Sequence, residues 1–181
     1  PAVEDIAADI ITAINKPMIP CGIPYILHSL KNVDENILPD TPLSNNKIEI
    51  MVDEVEDKEE NKLILKSGQT IEFEKLVLAT GSKAIEPPIK GIHLDGIYLV
   101  KKNRDYLCSL VEKSKSAKSI TILGGGYIGV EVADELLKAG KEVAIVEQLS
   151  CLLPTSMDCE FGDKAHEVIE NSGGKVLLNK S

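Results

Sequence analysis

One segment constrains the fold of this 181-residue chain more than any other, namely residues 119–147, SITILGGGYIGVEVADELLKAGKEVAIVE. It begins with a β-branched apolar run at 119–123, passes through a glycine cluster into a helical pattern, and ends with a second strand at Glu147. Gly140 follows the expected helix, 130–139, at the position where left-handed backbone ends helices. The order strand, glycine turn, helix, strand predicts a parallel βαβ unit.

Three glycines in this turn match the spacing GxGxxG. Gly124 permits the tight turn, Gly126 lets a pyrophosphate approach the backbone, and Gly129 lets the helix and strand pack closely. Glu147 lies 18 residues beyond Gly129, at the strand end where an acid bonds the ribose hydroxyls and repels a 2′-phosphate. The unit therefore predicts dinucleotide binding with NAD preferred over NADP, and a purely structural turn is the alternative.

Composition excludes several other functions. The net charge is −9 and the only aromatic residues are four Tyr and two Phe, so the chain lacks the basic, base-stacking surface that nucleic acid requires. No apolar run reaches the roughly 18–20 residues that span a bilayer. The cysteines, at 21, 108, 151 and 159, have neither zinc-site nor disulfide-framework spacing, and the three histidines are far apart. We therefore expect a cytoplasmic protein that binds no metal, no membrane and no nucleic acid.

The rest of the chain shows short strand and helix signals. The residues at 53–60, DEVEDKEE, are expected to form a solvated hairpin end. Helices are expected at 21–30, 103–113 and, after Asp158, up to 171. Residues 10–14 form a short apolar run, and further strands are expected at 47–52, 62–66, 70–73, 76–79, 97–100 and 175–178.

Three motifs together resemble the pyridine nucleotide–disulfide oxidoreductases. They are CGIPY at 21–25, LVLATGSKAIEPPIKG at 76–91 and GGGYIGVEVADEL at 124–136. The resemblance extends over nearly the whole chain and is strongest to the branch of NADH oxidases, NADH peroxidases and coenzyme A–disulfide reductases. It implies an α/β fold built from parts of two Rossmann-like FAD/NAD(P)-binding domains, with a parallel sheet, helices and an antiparallel β-meander.

The resemblance also implies a domain order. Residues 1–91 correspond to a partial FAD-binding domain without its first βαβ unit. Residues 92–181 correspond to the N-terminal half of an inserted NAD-binding domain. The chain is thus expected to be an internal fragment of a longer flavoenzyme.

In function, the resemblance implies that NADH reduces FAD, which passes electrons to a thiol or disulfide, oxygen or peroxide. One alternative is a flavin reductase of a small redox carrier such as rubredoxin, with an inert Cys21. Another is an inactive nucleotide-binding module. The partner would be a small-molecule or small redox-carrier acceptor. Because an incomplete parallel sheet exposes unpaired edges, a homo-oligomer is expected as well.

Three residues are candidates for catalysis. Cys21 resembles the family's redox cysteine beside the flavin, and a thiol at a helix start has its thiolate stabilised by the helix dipole; a buried, inert cysteine is the alternative. Tyr127 resembles the tyrosine that covers the flavin, and the alternative is a packing aromatic. Glu131 resembles the acid near the nicotinamide, and the alternative is an ordinary acid of the first helical turn.

The resemblance assigns cofactor contacts residue by residue. The FAD contacts are expected at Asn15, Lys16, Cys21, Val55, Ala79, Thr80 and Gly81. The NAD(H) contacts are expected at Gly124, Gly126, Tyr127, Ile128, Gly129 and Glu147. The cysteines with no counterpart in the family are expected to be structural, and these are Cys108, Cys151 and Cys159.

Overall fold

The structure, a computed structural model, describes residues 9–12 and 17–180. These residues divide into two compact units. The first comprises the described residues up to 17 together with 37–83, and the second comprises 18–36 together with 84–180. In these units residues 18–36 and 84–91 group with the second unit, and the predicted domain boundary after residue 91 stays a prediction. The assignment of FAD to one domain and NAD to the other stays a prediction.

The first unit contains two small sheets. Its elements are β1 (Asp9–Thr12), α1 (Thr41–Asn45), β2 (Glu49–Val52), β3 (Val55–Glu59), β4 (Lys62–Leu65) and β5 (Thr70–Glu72). β1 and β2 pair in parallel, with Ile10 opposite Ile50. β3, β4 and β5 form the expected antiparallel meander, in which Leu63 and Leu65 of β4 are buried.

The second unit contains the βαβ arrangement predicted from the glycine segment. Its elements are α2 (Arg104–Ser116), β6 (Ser119–Leu123), α3 (Tyr127–Lys138), β7 (Glu142–Val146), α4 (Cys159–Asn171) and β8 (Lys175–Leu177). The strands lie in the order β6-β7-β8, all parallel, with α3 and α4 as the crossovers. Gly140 has φ +74°, which confirms its left-handed position after α3. The predicted α/β fold class is confirmed.

Two apolar clusters hold the second unit together. The larger lies between the sheet and the helices α3 and α4, and it consists of Val132, Ala133, Leu136, Val143, Ile145, Leu152, Leu153 and Ile169. The smaller joins residues 18–36 to α2, and it consists of Ile23, Ile26, Val33, Leu107 and Val111. The smaller cluster explains why the segment that carries Cys21 belongs to the second unit.

The segment from Cys21 does not form the expected α-helix. It forms two 3₁₀ turns, Pro20–Gly22 and Pro24–Leu27, that meet at Ile23. Pro24 has no N–H to continue a hydrogen-bonded helix from the first turn, so each turn begins at its own proline. Cys21 therefore does not lie at the start of an α-helix, the position expected to stabilise its thiolate.

Three further expectations about strands are wrong. Residues 76–79 and 97–100 belong to no strand or sheet within the described ranges. A strand requires a paired neighbour, and Val77 and Leu78 are 86 % and 76 % exposed. The acidic stretch 53–60 is solvated as expected, but it contains β3 and not merely a hairpin end, because its backbone pairs with β4.

We expect Leu107→Ala to destabilise the second unit by about 2–5 kcal/mol, since it would leave a cavity between α2 and residues 18–36. Leu94→Ala is the matched control, because Leu94 is 67 % exposed and the same truncation there should cost less than about 0.5 kcal/mol. Urea unfolding measures both. Equal losses for the two variants would contradict the described packing.

Candidate functional site

The glycine turn between β6 and α3 has the geometry of an anion-binding loop. Gly124 has φ +103° and its N–H donates to the carbonyl of Val146 at 2.8 Å, which joins the ends of β6 and β7. A Cβ on Gly129 would lie 2.0 Å from the carbonyl oxygen of Gly124, so only glycine fits there. A Cβ on Gly126 would meet nothing within 4 Å, which leaves open space at the point where a pyrophosphate would approach.

Glu147 fixes the turn from the end of β7. Its side chain is buried, and Oε2 accepts a hydrogen bond from the N–H of Gly125 at 2.7 Å. Oε1 accepts from the N–H of Leu149 at 2.8 Å. Because each carboxylate oxygen can accept more than one hydrogen bond, both retain capacity for a donor from a ligand.

The start of α3 presents backbone amides beside this turn. Gly126 is the N-cap, and no side chain in the described part of the chain caps the helix there. The first N–H groups of a helix have no partner within it and carry the positive end of the helix dipole. Such a terminus over a glycine turn binds a phosphate group readily.

The other NAD-side candidates lie on α3. Tyr127 and Ile128, the first two helical residues, are 48 % and 55 % exposed. Glu131 is half-buried and is the fifth residue of α3, so it stands beyond the first turn in which it was predicted. The structure therefore brings these three residues and the glycines to one end of one helix.

Cys21 is exposed on a 3₁₀ turn that Asn36 holds in place. Asn36 is buried, its Nδ2 donates to the carbonyl of Ile19 at 3.0 Å, and its own carbonyl accepts the N–H of Ile19 at 3.0 Å. A Cβ on Gly22 would lie 1.8 Å from Oδ1 of Asn36. Gly22 thus makes room for the asparagine, a residue that the sequence analysis did not single out.

Glu135 of α3 anchors the same segment at a second point. Its carboxylate accepts hydrogen bonds from the N–H of Ser29 at 2.7 Å and from its Oγ at 2.8 Å, and Lys138 Nζ lies 3.2 Å away. The side chain is 1 % exposed. Burial alone raises the pKa of Glu135, but the hydrogen bonds from Ser29 and Lys138 outweigh burial, and the pKa lies below its ordinary value of 4.5.

Glu135 lies on the same face of α3 as the buried Val132 and Leu136. An acid on this face could have been recognised from the helical pattern as a residue that needs a partner, because the core face of a helix is usually apolar. Its partner was not visible, since Ser29 lies 106 positions away in the sequence. The Cys21 segment and the helix that begins at the glycine turn are thus held together within one unit.

The residues expected to contact FAD are described only in part. Asn15 and Lys16 lie outside the described residues. The other contacts predicted in the first unit are exposed, and these are Val55, Ala79, Thr80 and Gly81. Gly81 has φ +69° with open space around it. These described residues are accessible to a ligand, but they do not by themselves enclose a flavin.

The remaining cysteines differ from expectation at one place. Cys151 and Cys159 form a disulfide, which the sequence analysis did not predict. Cys108 is a half-buried free cysteine on α2, in line with a structural role. Within residues 9–12 and 17–180, no three His, Cys, Asp or Glu side chains are grouped as a metal site.

Comparison with known proteins identifies the family. The family model "Pyridine nucleotide-disulphide oxidoreductase" matches residues 11–181. The chain belongs to the pyridine nucleotide-disulphide oxidoreductase family. This class of NADH-dependent flavoprotein oxidoreductases, with FAD and NAD(H) as its cofactors, is the class that the sequence motifs predicted, so that prediction is confirmed for the family.

Similar proteins include two NADH oxidases. The protein from Enterococcus faecalis is 35 % identical over 139 residues, 75 % of this chain and 31 % of that protein. The protein from Methanocaldococcus jannaschii is 31 % identical over 173 residues, 89 % of this chain and 38 % of that protein. The chain therefore spans between about three and four tenths of the length of these relatives.

Solved structures share the fold. A ferredoxin reductase from Rhodopseudomonas palustris superposes with a TM-score of 0.84 at 22 % identity, over 96 % of this chain and 44 % of that one. A water-forming NADH oxidase from Lactobacillus brevis, bound to NADH, superposes with a TM-score of 0.81 at 24 % identity, over 97 % of this chain and 41 % of that one.

We expect Glu135→Ala to destabilise the second unit at neutral pH by about 1–3 kcal/mol, because both hydrogen bonds from Ser29 to this charged acceptor are lost. Ser29→Ala should cost about 0.5–1.5 kcal/mol, since only the hydroxyl bond is lost. Asp134→Ala is the control, because this neighbour makes a partly exposed ion pair with Lys138 and should cost less than about 1 kcal/mol.

The same anchor should depend on pH. A carboxylate whose pKa is lowered in the folded state stabilises the fold above its unfolded pKa, near 4.5, and loses this contribution as the pH falls through the folded pKa. The gap in stability between the wild type and Glu135→Gln should therefore narrow below about pH 4.5. Urea unfolding at neutral and acidic pH measures it, and a gap that widens in acid would contradict a charged anchor.

Proposed function

We propose that this chain is part of an NADH-dependent flavoprotein oxidoreductase and that its second unit binds NAD(H) at the glycine turn and the start of α3. The observation that carries the proposal is the open space at Gly126 directly beside the uncapped N-terminus of α3. Backbone amides and the helix dipole there favour the pyrophosphate. The match to the family over residues 11–181 supports the same site.

Glu147 gives the site its preference for NAD. With both oxygens already held by the N–H groups of Gly125 and Leu149, the carboxylate has a fixed position at the end of β7. Its remaining lone pairs can accept the ribose hydroxyls of the adenosine half. A 2′-phosphate would meet a buried negative charge, so NADP should bind more weakly.

FAD, when bound, would accept the hydride of NADH and pass the electrons on. The chain's own contribution is to hold the dinucleotide on α3, where the exposed Tyr127 and the half-buried Glu131 flank the same helix end. Tyr127 is proposed to cover the flavin ring until the nicotinamide binds. Glu131 is proposed to lie near the nicotinamide.

Two alanine variants separate binding from folding. We expect Gly126→Ala to fold normally, because φ is −75° and the added methyl meets no atom, yet to raise the NADH dissociation constant about tenfold, or about 1.4 kcal/mol. Gly129→Ala should lose about 1–3 kcal/mol of stability, because its methyl meets the backbone of Gly124. Titration by NADH fluorescence and urea unfolding measure the two effects. Unchanged NADH affinity in Gly126→Ala would refute the proposed site.

The electron acceptor has two candidate classes. One is a thiol or disulfide, oxygen or peroxide, with Cys21 taking part; similar proteins include the NADH oxidases above and an NAD(P)H coenzyme A polysulfide/persulfide reductase from Pyrococcus horikoshii. The other is a small redox carrier with Cys21 inert, and a similar fold occurs in an NADH:rubredoxin oxidoreductase from Clostridium acetobutylicum. The 3₁₀ turn around Cys21 favours the second class, because no α-helix dipole activates the thiol.

Cys21→Ser decides between these classes. With FAD and NADH added to the chain in air, so that dissolved oxygen is the electron acceptor, loss of NADH oxidation in Cys21→Ser would support a redox cysteine, and unchanged oxidation would support a carrier reductase. The control is Cys108→Ser, which changes the other free cysteine and should leave oxidation unchanged. Binding of NADH without oxidation in every form would indicate an inactive nucleotide-binding module. NADH absorbance with time is the measurement.

Two further properties belong to this proposal. None of the helices in the described ranges is long and apolar enough to cross a membrane. We propose a cytoplasmic location from the cysteine spacing and a homo-oligomer from the short open sheets.

A further inference from the structure

A disulfide closes the loop between β7 and α4. Cys151 and Cys159 are 8 positions apart in the sequence, and their Cα atoms are 5.5 Å apart. Cys151 is 2 % exposed, whereas Cys159, the first residue of α4, is exposed. The loop between them is therefore a covalent ring closed by one buried and one exposed cysteine.

This ring packs directly on the glycine turn. Leu152 is fully buried, and a Cβ on Gly125 would lie 2.5 Å from its Cδ2. The N–H of Leu153 donates to the carbonyl of Gly125 at 2.8 Å. The N–H of Gly125 donates to Glu147 on its other side. Gly125 is thus held by the disulfide-closed loop through its carbonyl and by Glu147 through its amide.

The loop is held in a conformation that it would not adopt alone. Leu153 has φ +55°, in the left-handed region that disfavours residues with a Cβ. A Cβ on Gly162 would lie only 2.2 Å from the carbonyl oxygen of Leu152, so the loop backbone packs closely against α4 at this glycine. Such strain persists only where the surroundings enforce it. A covalent ring does so by removing open conformations of the loop.

We propose that the Cys151–Cys159 disulfide is a redox latch on the dinucleotide site: closed, it keeps Gly125 in the turn that receives the pyrophosphate, and its reduction lowers the affinity for NAD(H). This inference rests on the proposed binding of NADH. It also accounts for a disulfide in a chain expected in the cytoplasm, where disulfides are usually transient and redox-sensing.

The opening reaction is thiol–disulfide exchange with a dithiol. A thiolate of the dithiol attacks Sγ of Cys159, the exposed residue of the pair, and Cys151 leaves as a thiolate that takes up a proton. The second thiol of the reductant then breaks the mixed disulfide and releases Cys159. The disulfide gains two electrons and two protons in all, and the dithiol becomes a cyclic disulfide.

The test compares the oxidised chain with the chain reduced by dithiothreitol, which is then removed without air. A thiol count in denaturant should give two thiols before reduction and four after it. NADH fluorescence titration should show a dissociation constant about three- to tenfold higher in the reduced chain, as expected when a preorganised loop is released. Hydrogen exchange should become faster in residues 124–129 and 149–158.

The matched control is the double variant Cys151→Ser/Cys159→Ser, which should bind NADH as the reduced chain does and ignore dithiothreitol. Cys108→Ser should respond to the reductant as the wild type does. Equal NADH affinity in the oxidised and reduced wild type, with the expected thiol counts, overturns the latch alone. Four thiols before reduction overturn it too. A chain that binds NADH in neither state overturns the proposed function and the latch with it.

Discussion

The carboxylate of Glu147 is the contact on which the candidate site depends. It bonds the amide of Gly125 on one side and the amide of Leu149 on the other, so a single side chain joins the glycine turn to the chain that leaves β7. Hydrogen bonds from amides to a charged acceptor are shorter and stronger than those to a neutral one. Because Glu147 is buried, water screens its charge poorly. The glycine turn therefore has a fixed shape before any ligand arrives.

The packing of the second unit also fixes the position of Cys21. Its turn is held by Asn36, and the chain that follows is bonded through Ser29 to Glu135 on the helix that starts at the glycine turn. The cysteine and the proposed dinucleotide site therefore belong to one compact unit. Cys21 is an exposed free cysteine on this turn, and no α-helix begins there whose dipole could stabilise its thiolate.

The sequence predicted best where local chemistry and tertiary structure agree. The βαβ unit at 119–147 combines a β-branched run, glycines in fixed order and an amphipathic helix, and all three form in the expected order, although the helix begins at Tyr127 and not at residue 130. Prediction failed where an element depends on a distant partner. Residues 76–79 have the apolar character of a buried strand but pair with no described strand, and Pro24 divides the expected helix after Cys21 into separate turns.

The sequence by itself therefore determined the family, the α/β class and the order of the glycine turn, because these follow from residue types at short, fixed spacings. Only the tertiary structure decided that residues 18–36 join the second unit, that Glu135 binds Ser29, and that Cys151 and Cys159 are joined. The physical reason is distance along the chain and in space. The sequence shows that an acid on an apolar helix face needs a hydrogen-bond partner and that a cysteine can form a disulfide. Which residue becomes the partner depends on how the whole unit packs.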